Sequence, residues 1–506
     1  MNSKNPGQII AIAIAIVVAV WASISILLNP TGGISGLSKL ITILGIVLGL
    51  VNPKAALYFL VVQAVYSDEI KRIGVFYGVQ STQTVSEILI GPLLTICAIN
   101  ISYFYGVIRR QYTFGGIGFL LYMIIPTVAI IMLVKGRDAG MLQNVYTAGT
   151  TTLYLTLIPI CYGIFKTFQD WVDCISWQAT VAAPAAAWGI WQYFNGFNNI
   201  EWSYALSGLS MVHTEQMMMK DPRIFGLFGS ASALSCVGIY SCFCLWRAVR
   251  IPKRRLLFLL LGLLYLTTAI LSHQRTTLVY PAIVFLFAIA FRSFWGTLLL
   301  YGSAASLFVI GVLNSAYLLD KGIYQINDLI RGDGKWAENV LMVSTFSDRL
   351  RGWERLGRAD SWSLFGTGRV LRSDFMSNAP DYTASDYSHD IINRIVINFG
   401  AVGLLVTLLV GGGILFSLHR VVYKSSGTQT KRDGAFIIGC IVPGVLLAFI
   451  AGGNFSATPV NLQMWTVLSG VFILKKLSNG HRSSNRVPAA PSSPLPEPRT
   501  PALAGR

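Results

Sequence analysis

The chain has 506 residues, of which 54% are apolar and only 12% charged, with a formal net charge of +17. That balance lies far from a soluble globular domain and excludes soluble domains of any size. It is the composition of an integral membrane protein, in which stretches of about 20 apolar residues each cross the hydrocarbon layer as a helix.

In chain order, apolar runs predict an all-α polytopic bundle with spans at 8–28, 37–51, 55–66, 86–106, 115–134, 146–166, 174–194, 225–246, 256–272, 277–291, 295–313, 398–418, 435–450 and 459–474. The expected count is fourteen, within a range of 12–14, because the second and third runs are short. Asn52, Pro53 and Lys54 between those two mark either a tight turn or a kink in one long helix. The first run is too long, and too poor in a small-residue cleavage site, for a signal peptide, and is expected to be retained. Residues 1–477 then form the transmembrane domain, with a long loop at 314–393 inside it. The tail at 478–506, rich in Pro, Ser and Arg, cannot bury a core and is expected to be disordered in the cytoplasm.

Basic residues in short loops resist translocation, so they orient the bundle. The cluster "WRAVRIPKRR" from Trp246 to Arg255 shares one side with Arg109, Arg110, Lys475, Lys476 and the loop from His419 to Arg432. That side is expected to be cytoplasmic, with both termini, while Arg223, Arg275 and the 314–393 loop face the opposite compartment. Most of the positive charge is then topology signal and contact with anionic headgroups. Nucleic-acid binding is not expected, since no soluble domain presents the basic residues. All seven cysteines fall within or beside apolar runs and read as small packing residues, giving neither a disulfide framework nor a zinc site.

A loop as long as 314–393 in a compact protein is usually functional. Within "SDRLRGWERLGRA", Leu350, Trp353 and Leu356 fall near helical spacing, flanked by Arg349, Arg351, Arg355 and Arg358. This predicts an amphipathic helix on the bilayer surface, either a plain interfacial anchor or a ligand contact. Three polar points share its side: Arg223 opening "RIFGLFGSASAL", Arg275 in "SHQRTTL", and His389 ahead of "NFGAVGLL". Each stands at a helix mouth, where a charge avoids the cost of about 2.5 to 3.5 kcal/mol at the bilayer centre. "SDEIKR", 67–72, puts Asp68 and Glu69 on the same side, and these read as solvated charges at the membrane surface. No metal and no cofactor is expected.

At these residues the chain resembles the O-antigen ligases and related bacterial polysaccharide polymerases. That family's signature is a His followed by Asn, Ser or Gln, nine residues, Gly, two residues and Gly, Thr or Tyr; here it reads His389, Asp390, nine residues, Gly400 and Gly403, departing only at Asp390. "RIFGLFGSASAL" is similar to the family's Arg-containing stretch, "SHQRTTLVYPAI" to its Arg-led turn, and "DRLRGWERLGRADSWSLFGTG" to the segment before its catalytic loop. The resemblance covers roughly 223–405.

It implies a fold like the GT-C-type glycosyltransferases, and an inverting, metal-independent transfer at the periplasmic face of the bacterial inner membrane. The donor would be a glycan on undecaprenyl diphosphate, and the acceptor a glycan or lipid A core hydroxyl. Membrane lipids and a chain-length regulator are the further expected partners. The chemistry suits the residues, because imidazole, with an unperturbed pKa near 6.5, can take a proton from an attacking hydroxyl at neutral pH. His389 is therefore the candidate base, or alternatively positions the acceptor. Guanidinium groups match phosphate oxygens with two parallel bonds, which assigns Arg223 and Arg275 to the departing diphosphate, with Arg349 and Arg351 in support. Asp390 would orient the imidazole, or else repel the diphosphate; orientation is expected. Gly400 and Gly403 would share one helical face and permit close packing beneath the site. Polymerase is favoured over ligase, and a lipid-linked glycan flippase is the alternative from another class.

Overall fold

The computed structural model describes residues 24–25, 28–78, 82–116, 118–119, 121–123, 125–126, 130, 149–150, 152–207, 217–218, 224–229, 233–272, 275–314, 354, 356, 363–366, 391–424, 427–451 and 459–484. Every regular element among them is helical. Four helices are long and apolar enough to cross a membrane, within Pro30–Val51, Ile88–Ile108, Phe294–Leu313 and Phe399–Lys424, and four shorter apolar helices accompany them. Leu298, Leu299, Leu307, Leu405, Leu408, Leu409 and Phe416 are all more than half exposed, apolar surface that water would not tolerate in such amount.

The first helices are α1 (Pro30–Val51), α2 (Pro53–Phe76) and α3 (Thr82–Ile108). Asn52 resolves the sequence ambiguity in favour of a tight turn. It ends α1 and caps α2, its side chain accepting from Ala55 N at 3.1 Å. Pro53 follows at the first helical position, where its missing N–H costs nothing. α2 runs well beyond the predicted 55–66, carrying "SDEIKR" as two further helical turns.

A 3₁₀ turn (Leu153–Thr156) leads into α4 (Leu157–Ile164), and α5 (Phe168–Asn195) follows as the central helix. Ala179, Ala182, Ala185 and Ala186 on α5 are fully buried, and these small side chains let neighbouring backbones approach. Tyr66 donates to Val181 O at 2.8 Å, Tyr265 donates to Ala179 O, and Trp171 Nε1 donates to Thr466 O at 2.8 Å. Hydrogen bonds, two received and one donated, thus tie three other segments to one helix. Then come the short α6 (Asn199–Leu206), a 3₁₀ turn (Ala233–Ser235) with α7 (Cys236–Arg250), α8 (Arg255–Leu271), α9 (Arg275–Ala290) and α10 (Phe294–Leu313). α11 (Ile391–Lys424), α12 (Thr428–Ala451) and α13 (Val460–Ser484) complete the order. α13 continues past 478, so the start of the predicted disordered tail is helical. Six of the seven cysteines are buried, all seven as free thiols.

Polar contacts between distant segments tie loop ends together. Lys54 Nζ lies 2.7 Å from Asp170 Oδ1, joining the α1–α2 turn to the start of α5, and Arg250 lies 3.6 Å from Asp433, joining α7 to α12. In both cases the partners fall on the same side of the predicted alternation of spans.

Asp170 precedes the predicted span at 174. Burial pushes its carboxyl up, but the bonds from Lys54 and from the Thr167 backbone and hydroxyl outweigh that and hold it at about 2, below its ordinary 3.8. A depressed carboxylate stabilises the fold fully above its ordinary value and loses that contribution as pH falls toward its folded value. Asp170→Asn is therefore expected to lower the thermal midpoint of detergent-solubilised protein at neutral pH. The effect should be at most about 1 kcal/mol, because Lys54 is half exposed. The gap to wild type should narrow as the pH is taken from about 5 to about 3; a gap constant with pH would contradict the assignment.

Candidate functional site

Of the residues assigned to chemistry from the sequence, His389, Asp390, Arg223, Arg349 and Arg351 lie outside the described residues, as does nearly all of the predicted amphipathic helix. Arg275 opens α9, where its backbone is described. Gly400 and Gly403 are described, and so are the segments that adjoin Arg223 and His389.

Gly400 corrects the expectation of one continuous helical face. Its φ of 68° and ψ of −163° break α11 in two, and α11 begins at Ile391, before the predicted 398. In the left-handed half of φ space glycine is the residue without penalty. The backbone of Ser363–Gly366 packs into the break: Ala401 N donates to Ser363 O at 3.0 Å and Val402 N to Leu364 O at 3.2 Å. These are N–H groups of a first helical turn, which otherwise lack partners, and a span boundary offers little water to supply them. A Cβ at Gly400 would collide with both carbonyls and come within 2.5 Å of Gly366 N. Gly403 serves a different purpose, since a Cβ there would meet the side chain of Phe399 and, at 3.7 Å, that of Ile395. It lets the half-helix 391–399 approach the half-helix after the break. Ile391, at the far end of 391–399, lies about 13 Å along the axis from the break at ~1.5 Å per residue.

The stretch after Arg223 also departs from expectation. Residues 225–246 were predicted to form one span, yet Ile224–Gly229 is a buried non-helical turn and α7 starts only at Cys236. Ile224, Phe225 and Phe228 are fully buried. Gly226 has φ of 60°, and a Cβ there would run into Ala185 O on α5. Its carbonyl accepts from Arg72 Nη1 at 2.9 Å, and its N–H donates to Gln192 Oε1 at 2.8 Å, beside the Phe225 N–H at 3.1 Å.

Arg72 belongs to "SDEIKR", whose Asp68 and Glu69 were read as solvated charges; their side chains are only partly exposed and each is held by a buried base. Arg72 is fully buried and Lys71 is 5% exposed. Helical spacing pairs Asp68 with Lys71 at 3.1 Å and Glu69 with Arg72 at 3.2 Å, which makes burial tolerable. Asp68 lies against Gly229, where any side chain would strike its carboxylate. Acid and base paired at i,i+3 was the sequence signal for this; the burying partners, Tyr204 on Asn199–Leu206 and the Ile224–Gly229 turn, were not visible.

The segment that follows Arg223 and the helix that precedes Arg275 meet on α5. Leu227 N donates to Ala185 O at 3.4 Å, while Thr268 Oγ1, two turns before Arg275, donates to Ala186 O at 3.3 Å. Adjacent residues of one helix thus anchor the turn that follows Arg223 and the helix that leads to Arg275. Among the described residues, no group of three His, Cys, Asp or Glu side chains could hold a metal. Comparison with protein-family models, curated proteins and solved structures finds no match.

Proposed function

We propose that this chain is an inverting membrane glycosyltransferase of the bacterial inner membrane, moving a glycan from undecaprenyl diphosphate onto a sugar hydroxyl at the periplasmic face, and most specifically a polysaccharide polymerase. The observation that carries the reading is the meeting, at Ala185 and Ala186, of the turn that follows Arg223 with the helix that precedes Arg275. The segments that follow Arg223 and precede Arg275 share neighbouring anchor points on α5, which supports a reading in which both guanidinium groups bind one diphosphate. Supporting it, Arg72 with Gly226 and Ser363 with Ala401 join ends that the span alternation puts on the far side, opposite Lys54 with Asp170.

In this reading His389 takes the proton of the acceptor hydroxyl as its oxygen attacks the anomeric carbon from the face opposite the diphosphate. The bond from that carbon to the diphosphate oxygen breaks, and undecaprenyl diphosphate leaves with the electron pair. Arg223 and Arg275 stabilise the charge that develops there, where fixed donors act more strongly on the transition state than on the substrate. The Gly400 break and its Ser363–Gly366 contact set where the His389 end of α11 emerges.

The test is purified protein in liposomes with a lipid-linked repeat unit and no nucleotide sugar. Longer lipid-linked glycans are the expected product. Transfer only to added lipid A core would replace polymerase by ligase, and translocation without transfer to any acceptor would replace the enzyme by a flippase.

A further inference from the structure

Beside the candidate site stands a buried polar assembly that the transfer chemistry does not use. Gln192, fully buried on α5, accepts through Oε1 from the N–H groups of Phe225 and Gly226 at 3.1 and 2.8 Å. Its Nε2 donates to Glu201 Oε1 at 2.5 Å and to Gly226 O at 3.3 Å. Glu201 is itself fixed, because it closes the capping box of α6 by accepting from Asn198 N at 2.8 Å and also accepts from Trp188 Nε1 at 2.7 Å. From the other side Arg72 donates to Gly226 O and to Glu69, and its guanidinium lies 4.6 Å from the Phe225 ring centroid and 5.7 Å from that of Tyr204. Three successive peptide groups, from Ile224 to Leu227, are thereby held by side chains of two different helices.

Stability alone does not account for this arrangement. A buried ion pair is frequently matched in stability by apolar side chains of similar volume, since desolvation offsets its attraction. Among the described residues, Arg72 moreover leaves Nε and Nη2 without hydrogen-bond partners, a cost that apolar packing would avoid. What apolar packing cannot do is fix the orientation of a peptide plane. The peptide held here is three residues from Arg223.

We propose that Arg72 and Gln192 are positioning residues that lock the Ile224–Gly229 turn and thereby set the placement of Arg223. The proposal rests on Arg223 being a diphosphate ligand as far as transfer is concerned, whereas the lock itself is independent of that reading.

The experiment places a nitroxide spin label on Leu227→Cys in the full chain, reconstituted in liposomes, and compares wild-type, Gln192→Leu and Arg72→Lys backgrounds. In parallel, transfer from a lipid-linked repeat unit is measured for the same substitutions without the label. Gln192→Leu removes the acceptor of both N–H groups, and Arg72→Lys replaces a forked donor by a point charge. Both are expected to loosen the label's spectrum. Both should also lower kcat by roughly 10- to 100-fold with little change in KM, the signature of a misplaced transition-state contact. The exchange Gln192→Glu with Glu201→Gln keeps an acceptor facing the turn and a bond between the two side chains, and should recover immobility and rate. It also shows that loss in the single variants is not simple failure to fold. A label equally immobile in all backgrounds overturns the lock. A loosened label with unchanged kcat in an active protein overturns the positioning role. A loosened label in a protein whose wild type transfers nothing supports the lock and overturns the transfer reading instead.

Discussion

Gly400→Ala is expected to be the most damaging single methyl that can be added to the described part of α11. An alanine held at φ of 68° and ψ of −163°, a region essentially restricted to glycine, costs about 1 to 3 kcal/mol by itself. The added Cβ would also overlap the carbonyls of Ser363 and Leu364 and crowd Gly366 N, all backbone atoms that cannot rotate aside. Relief requires moving the Ser363–Gly366 segment off the break, which leaves Ala401 and Val402 N–H without acceptors at about 1 to 3 kcal/mol each. A lowered thermal midpoint in detergent, new protease cleavage near 363–366 and a large loss of glycan transfer should therefore appear together. Gly403→Ala makes the comparison sharp. Its nearest neighbour is the Cβ of Phe399, which no rotamer change moves, so an added methyl must shift the half-helix 391–399; with no positive φ at Gly403 and no bond to Ser363–Gly366 broken, its effect should still be smaller. Equal effects at the two glycines would show that the break is not what the sequence preserves there.

The second large effect is expected at His389. His389→Ala should cut transfer by about 10² to 10⁴-fold, the range for loss of a positioned general base, with little change in thermal stability. Asp390→Asn should lower the rate less, since the amide can still accept from the imidazole but no longer favours its charged form. A large gain in rate on Asp390→Asn would instead assign the carboxylate to repulsion of the diphosphate. Quantifying lipid-linked product by gel after a fixed time in liposomes, with each variant matched for amount, gives both numbers.

The membrane character and most helices were legible because apolarity is continuous along a span and needs no partner. Asn52 and Pro53 announced their own turn through local cap chemistry. The turn at Ile224–Gly229 was not legible, because hydropathy reads Phe225, Leu227 and Phe228 as part of a lipid-facing span when they belong to a turn held by side chains of distant helices. The same blindness hid the burial of Lys71 and Arg72, since a charge looks solvated until the partners that desolvate it are in place. At Gly400 the sequence supplied the residue and its spacing. It did not supply the conformation, because glycine serves equally for close packing in a helix and for a left-handed break, and only the approach of Ser363–Gly366 distinguishes them.

The central claim is that one imidazole and two guanidinium groups share a pocket, and cysteine cross-linking in the full-length protein measures it most directly. His389→Cys would be paired in turn with Arg223→Cys and with Arg275→Cys, in membranes, using a short bifunctional maleimide. Lys54→Cys with Asp170→Cys serves as the positive control, since those side chains lie 2.7 Å apart. The account predicts that both test pairs cross-link efficiently, and that a bound lipid-linked diphosphate slows the reaction. Cross-linking of the control with none at either test pair would place the three groups apart and contradict the transfer mechanism.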